Sequence, residues 1–475
     1  MLAPDAFEGR VRVTGAVALM SVLAVFAALA YWQVFRTDLA EENTNPRILA
    51  AFTDPNRGRI VDRDGNVLVE SLPDGTRHYH DASVAHAVGY IDARYGSQGA
   101  ELAFDSELSG KAGGTGWRDA VDAELRRTAI KGNDVRLTID PVVQAAAATA
   151  LGSRKGAVVA LDPRNGEVLA MVSVPTYDPG GLSENGEALL KDETSPLLNR
   201  ATQGLYTPGS TFKTVTAASA LENRVIDPGT TVNCPGKITI DGFDINCANT
   251  AQGVGTYPFS AAFTYSVNAI FAQVGVTLGW DRLLATAAKF GFGGPIDFAL
   301  DTGTSVVVPG TSKRDKVLLA TTAFGQGEIL ATPLQMALIA ATVANGGVLV
   351  EPRLGLSAST GGHTRAIDES ASRRVLDAAV ANTLKELMVS VVANGQARGA
   401  ALPGITVGGK TGTAETGRDG LSHAWFIAFA PPRTPPSPSP WSWRMAVAAA
   451  RSHRPSPGRS SPRPSSDDRE PPPRH

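Results

Sequence analysis

The sequence predicts an α+β protein in three parts: one membrane-spanning helix, a mixed N-terminal module, and a larger domain whose antiparallel sheet is flanked by helices. Three observations carry this. Val13 to Val34 is a 22-residue run without a charged side chain, VTGAVALMSVLAVFAALAYWQV, long enough to cross a bilayer core. Gly156-Ala-Val-Val-Ala-Leu-Asp162 and Glu167-Val-Leu-Ala-Met-Val-Ser-Val174 flank Asn165-Gly166, the strongest short-range hairpin signal. Their near-continuous apolar character fits strands buried on both faces. Downstream, helix-like stretches alternate with glycine-punctuated segments.

In chain order, Arg10 and Arg12 precede the apolar run, which keeps residues 1–12 in the cytoplasm by the positive-inside rule. Tyr31 and Trp32 stand at its outer end, where aromatic rings favour the interface. A cleaved signal peptide is the alternative, with Ala28-Leu-Ala30 as its small-residue site. The run is longer than a usual signal core, so an uncleaved anchor over 13–35 is favoured. Everything after Arg36 is then extracytoplasmic, in the cell envelope.

Residues 36–152 read as a structural module. Asp64-Gly65 separates two strand-like runs, 99–110 reads as a short helix ended by glycine, and Asp134 to Asp140 alternates like a strand. Pro141 opens an alanine-rich helix to Leu151. The second domain, 153–433, holds the Gly156 hairpin, a helix entered near Ser210, helical stretches over 260–279, 333–344 and 373–393, and strands over 407–414 and 423–430.

Composition narrows the function. Hydrophobic residues make up 43% of the 475, and the formal charge is −2. There is no basic patch interleaved with aromatics, which argues against a nucleic-acid partner. The two cysteines, Cys234 and Cys247, form no metal-ligand cluster. An exported location permits a disulfide, and two buried free thiols fit the spacing equally well. No cofactor or metal is expected.

The chemistry gathers around Tyr206-Thr-Pro-Gly-Ser-Thr-Phe-Lys213. On a helix, Ser210 and Lys213 lie one turn apart on one face. A serine hydroxyl needs a neighbouring base, and a desolvated lysine with a lowered pKa is one. Alone the pattern is weak. Two more elements follow in order, Ser266-Val-Asn268 and Lys410-Thr411-Gly412-Thr413. Ser-x-x-Lys, Ser-x-Asn and Lys-Thr-Gly together are the signature of penicillin-binding proteins and class A β-lactamases.

With these motifs, and with Asn199-Arg-Ala201, Gly325-Gln-Gly327, His423-Ala-Trp-Phe426 and the Arg57-Gly-Arg59 and 99–110 patches, the chain resembles class B penicillin-binding proteins. These are monofunctional peptidoglycan D,D-transpeptidases, and the actinobacterial PbpA branch looks closest. The resemblance implies the penicillin-binding transpeptidase / serine β-lactamase-like fold on a pedestal. It implies Ser210 as nucleophile, Lys213 as base, Ser266, Asn268 and Lys410 as further catalytic groups, and Thr411, Gly412 and Thr413 as substrate contacts, with backbone N–H groups of Ser210 and Thr413 around the oxyanion. It implies stem peptides as substrates, β-lactams as inhibitors, the lipid bilayer as support, and a SEDS-type glycosyltransferase with division or elongation machinery as partners. A D,D-carboxypeptidase or β-lactamase, or a catalytically impaired divisome protein, are the alternatives. Glu415 reads equally as a site residue or a solvated strand-end charge, and residues 417–421 are a further candidate for the substrate rim.

The C-terminus departs from that pattern. Residues 434–475 hold 11 of the 31 prolines, seven arginines and three acids, with no Ile, Leu or Phe. The expectation is a disordered tail in place of the family's last core strand and C-terminal helix. Ser437 to Arg451 can be encoded so that a neighbouring frame reads Ile-Ala-Val-Ala-Val-Val-Val-Glu-Asn. A frameshift near Pro435 is therefore expected.

Overall fold

The computed structural model describes residues 15–25, 28, 53–113, 131–247, 254–310, 312–415, 422–431 and 445–453. Most of the expected flanks of the apolar run lie outside these. Residues 15–25 are helical, and among the described residues no helix is long and apolar enough to cross a membrane.

The larger domain is built on a five-stranded antiparallel sheet. Its strands are β1 (Gly156–Leu161), β2 (Val168–Val174), β3 (Gly408–Glu415), β4 (Ser422–Ala430) and β5 (Met445–His453). Their spatial order is β3-β4-β5-β1-β2. The hairpin read from Asn165-Gly166 joins β1 to β2, with Gly166 at φ 74°. The six residues of β1 are all buried, as a two-sided core strand requires.

Strand β5 corrects the reading of 434–475 as a disordered tail lacking the last strand. It lies between β4 and β1, with Ala430 opposite Met445, Ser422 opposite His453, Ala446 opposite Leu161 and Arg451 opposite Gly156. Counting large apolar residues missed the run Met445-Ala-Val-Ala-Ala-Ala450. A slot with a strand on each side offers backbone partners along both edges, so high intrinsic propensity is not needed there. The remaining tail falls outside the described residues.

Helices cover the sheet. α1 (Pro141–Leu151) begins where the Asp140 side chain accepts from the N–H groups of Val142 and Val143, with Pro141 in the first turn where its missing N–H costs nothing. α2 (Lys213–Glu222) carries the candidate lysine. The stretch 260–279 is two helices, α3 (Phe259–Thr264) and α4 (Asn268–Leu278), because Ser266 adopts φ 61°, which no continuing α-helix accommodates. α5 (Pro333–Ala344) matches its predicted bounds and is buried at every residue, as its all-round apolar sequence dictates. α6 (Ala378–Ala393) starts later than expected. Ser372–Arg374 pairs instead with Val348–Val350. α6 packs against β3.

The N-terminal module has a six-stranded sheet, in the order 363–366, 355–360, 134–137, 60–61, 67–71, 77–79. Its first two strands come from inside the range 153–433, so the module is not one contiguous stretch of chain. The 99–110 patch forms two short helices, Gly99–Ala103 and Asp105–Leu108. The Arg57 and 99–110 motifs meet through charge. Fully buried Glu101 accepts from Arg57 Nε and Arg77 Nε, both at 2.8 Å, and Arg57 also reaches Asp105 at 2.6 Å.

Cys234 and Cys247 are bonded to each other, which resolves the open choice in favour of the disulfide. It closes an excursion between α2 and α3, and Gln273 of α4 donates to the Asn233 carbonyl at 3.1 Å.

Candidate active site

Ser210 lies in a single 3-10 turn, Gly209–Phe212, that runs directly into α2. The Lys213 N–H donates to the Ser210 carbonyl, and in such a turn side chains three apart eclipse one another. Ser210 and Lys213 are therefore one turn apart, as expected, in a tighter turn than an α-helix. Ser210 is half-buried, while Lys213 is fully buried.

The three separated motifs converge on Lys213. Its Nζ lies 2.7 Å from the Ser266 carbonyl oxygen, 3.0 Å from Ser266 Oγ and 2.6 Å from Asn268 Oδ1. Lys410, fully buried on β3, places Nζ 2.9 Å from the same Ser266 Oγ and 3.2 Å from the Thr411 carbonyl oxygen. Ser266 thus bridges two lysines. With its strained φ at the break between α3 and α4, it presents its carbonyl to Lys213 and its hydroxyl to both lysines, and strain of this kind clusters at functional sites. Phe271 lies 5.3 Å beneath Lys213 Nζ and Phe263 lies 5.9 Å from Lys410 Nζ. Aromatic faces soften the cost of burying a cation.

Burial holds the Lys213 ammonium well below its ordinary pKa, and the neighbouring charge of Lys410 pushes it further down. Burial lowers Lys410 to about 7. Two ammonium groups sharing one hydroxyl in a dry site disfavour double protonation. The stable arrangement has one neutral amine and one ammonium, with Ser266 donating to the first and accepting from the second.

Of the predicted contacts on β3, Thr411 is half-buried, Gly412 buried and Thr413 exposed. Gly412 is required by proximity: a Cβ there would stand 2.7 Å from the Pro208 carbonyl oxygen. A Cβ on Gly325 would likewise collide with the Gly209 carbonyl oxygen. The serine turn is clasped between two glycine backbones. Glu415 is exposed at the strand end, and 417–421 lie outside the described residues. His423 packs edge-on against Tyr206, at 5.1 Å, away from the lysine pair's hydrogen bonds. Sequence reasoning missed the Gly325 contact and the two phenylalanines; the Gly325-Gln-Gly327 motif was the available signal for the former.

The penicillin binding protein transpeptidase domain matches residues 156–437, and the penicillin binding protein A dimerisation domain matches 57–135. The chain belongs to the penicillin-binding protein transpeptidase family. Peptidoglycan D,D-transpeptidase PbpA of Mycolicibacterium smegmatis is 35% identical over 451 residues, covering 88% of this chain and 90% of the relative. PbpA of Mycobacterium tuberculosis is 35% identical over 460 residues, covering 90% and 91%. Among solved structures, the imipenem acyl-enzyme complex of M. tuberculosis penicillin-binding protein A superposes with a TM-score of 0.76 at 31% identity, covering 86% of this chain and 96% of that one. The likeness spans most of this penicillin-binding protein and of each relative.

Proposed function

We propose that the chain is a peptidoglycan D,D-transpeptidase working through a Ser210 acyl-enzyme. The observation that carries this reading is the buried network joining Lys213, Ser266, Asn268 and Lys410 beside the Ser210 turn. Neutral Lys213 takes the Ser210 proton as Oγ attacks the penultimate D-Ala carbonyl of a stem pentapeptide. The proton passes through Ser266, with Lys410 holding charge at its far side, to the departing D-Ala nitrogen. Asn268 fixes Lys213 and faces the substrate amide. Lys410, Thr411 and Thr413 receive the substrate carboxylate, with Gly412 leaving room for the turn. Backbone N–H groups of Ser210 and Thr413 stabilise the oxyanion, a contribution of ~3 kcal/mol per donor in acyl-transfer enzymes. An amine from a second stem peptide then takes the acyl group and forms the cross-link. β-Lactams mimic D-Ala-D-Ala and stop at the acyl-enzyme.

The charge-free run at 13–34 supports a single-pass anchor with the catalytic domain outside the cytoplasmic membrane. Polymerised glycan strands reach such a site from a membrane glycosyltransferase, a SEDS-type enzyme of the division or elongation machinery.

The test supplies a pentapeptide donor ending in D-Ala-D-Ala and a separate amine acceptor. Released D-Ala together with a joined product, both absent with Ser210→Ala, supports the transpeptidase. Released D-Ala with hydrolysed donor and no joined product would replace it with a carboxypeptidase.

A further inference from the structure

The motif His423-Ala-Trp-Phe426 has no part in the chemistry above, yet one member of it touches the serine turn. Trp425 on β4 is 3% exposed. Its indole Nε1–H donates to the Thr207 carbonyl at 2.9 Å, across 218 residues of sequence. Thr207 precedes Ser210 by three residues.

The strand register gives this bond a direction. Trp425 stands directly opposite Gly412, and Ile427 opposite Lys410. Residues directly opposite in an antiparallel pair share one face, so Trp425, Gly412 and Lys410 project to the same side. That side receives the turn: Gly412 leaves space for the Pro208 carbonyl, and Trp425 holds the Thr207 carbonyl just before it. Tyr206 approaches the Trp425 ring edge-on at 6.3 Å, and its own backbone is anchored by a reciprocal pair of hydrogen bonds to Ala331, at 3.0 and 2.9 Å.

We propose that Trp425 is a positioning residue for acylation: its N–H, acting with the vacant side-chain position of Gly412 opposite, sets the Ser210 turn against the strand that carries Lys410. The inference rests on the acyl-enzyme reading. The indole touches no reacting atom, so its loss slows the covalent step and leaves ligand capture nearly intact. A ring that only filled space would act through stability instead.

The test replaces Trp425 in the full-length chain with 3-benzothienylalanine, which keeps the ring shape and puts sulfur in place of the N–H. Trp425→Phe serves as the second variant. Acylation by a fluorescent penicillin is resolved into the initial dissociation constant and the first-order acylation rate, beside a thermal melt. The expected result is an acylation rate about tenfold lower in both variants, the scale of one lost buried hydrogen bond. The dissociation constant stays within about twofold, and the benzothienyl protein stays folded, melting only a few degrees below the parent, as one lost buried hydrogen bond dictates. A benzothienyl protein that acylates at the parental rate, with only Trp425→Phe impaired, overturns the proposal and leaves a packing role. A parent chain that forms no adduct overturns the acyl-enzyme reading beneath it, and the inference with it.

Discussion

At the scale of single residues, the site is a problem of two buried amines and one hydroxyl. In the proposed mechanism Lys213 is a base only when neutral, so acylation is expected to fall as pH drops through its depressed pKa. Lys410 lies near 7, and its ammonium is the partner that Ser266 accepts from, so acylation falls again as pH rises above about that value. The pair titrates jointly, and the limbs of the resulting bell belong to the pair rather than to either residue. Lys410's charge is one cause of Lys213's depression. Lys410→Gln removes that charge, so the acid limb moves to higher pH while the maximal rate falls. Acylation rates between pH 5 and 10 check this. An acid limb unmoved in Lys410→Gln would show that Lys213 does not sense Lys410. Glu101 gives a second prediction. It lies fully buried between Arg57 and Arg77, and Glu101→Gln leaves two buried guanidinium groups without their shared anion. The expected loss is about 3–5 kcal/mol in denaturant unfolding, with the lysine network untouched.

At the scale of elements, the turn bearing Ser210 is clasped by Gly412 and Gly325, and the clasp is tested from the side that carries no chemistry. Gly325 has φ 85° and nearly touches Gly209, so Gly325→Ala strains the backbone and pushes the turn. A loss of about 1–3 kcal/mol with markedly slower acylation is expected. Wild-type acylation and melting in that variant would contradict the close approach. How far these elements were legible depends on their cause. The hairpin at Asn165-Gly166 and helix α5 follow from local signals, a turn dipeptide and a proline-led apolar run, and the structure keeps both. The break at Ser266 had no local signal: the residue that adopts φ 61° meets two lysines distant in sequence. Strand β5 was misread for a related reason. Alanines are weak evidence in isolation, and what makes them a strand is the pair of neighbours at β4 and β1. The Ser-x-x-Lys, Ser-x-Asn and Lys-Thr-Gly motifs were legible as a known signature occurring in order, whereas Trp425's bond to Thr207 needed the register of β3 on β4.

At the scale of the whole molecule, the N-terminal module and the catalytic sheet are interleaved, since strands 355–366 return to the first sheet after the second has begun. Removing residues after 431 deletes β5 and parts β4 from β1, so the truncated chain is expected to lose soluble expression. The match to the transpeptidase family ends at residue 437, where the composition changes, and sequencing the gene tests the proposed frame slip near Pro435. The disulfide closes a loop within the excursion between α2 and α3, which Gln273 of α4 contacts at the Asn233 carbonyl. Replacing Cys234 and Cys247 by serine is expected to cost about 3 kcal/mol, the scale for a loop of this length. Denatured, unreduced protein is expected to show no reactive thiol.

The central claim, that these motifs assemble one acyl-transfer site at Ser210, is tested most directly by intact-mass analysis of the full-length chain after exposure to penicillin G. The account predicts one added penicilloyl mass, mapped by digestion to Ser210 and absent from Ser210→Ala. An adduct that persists in Ser210→Ala, or none on the folded parent chain, would contradict it.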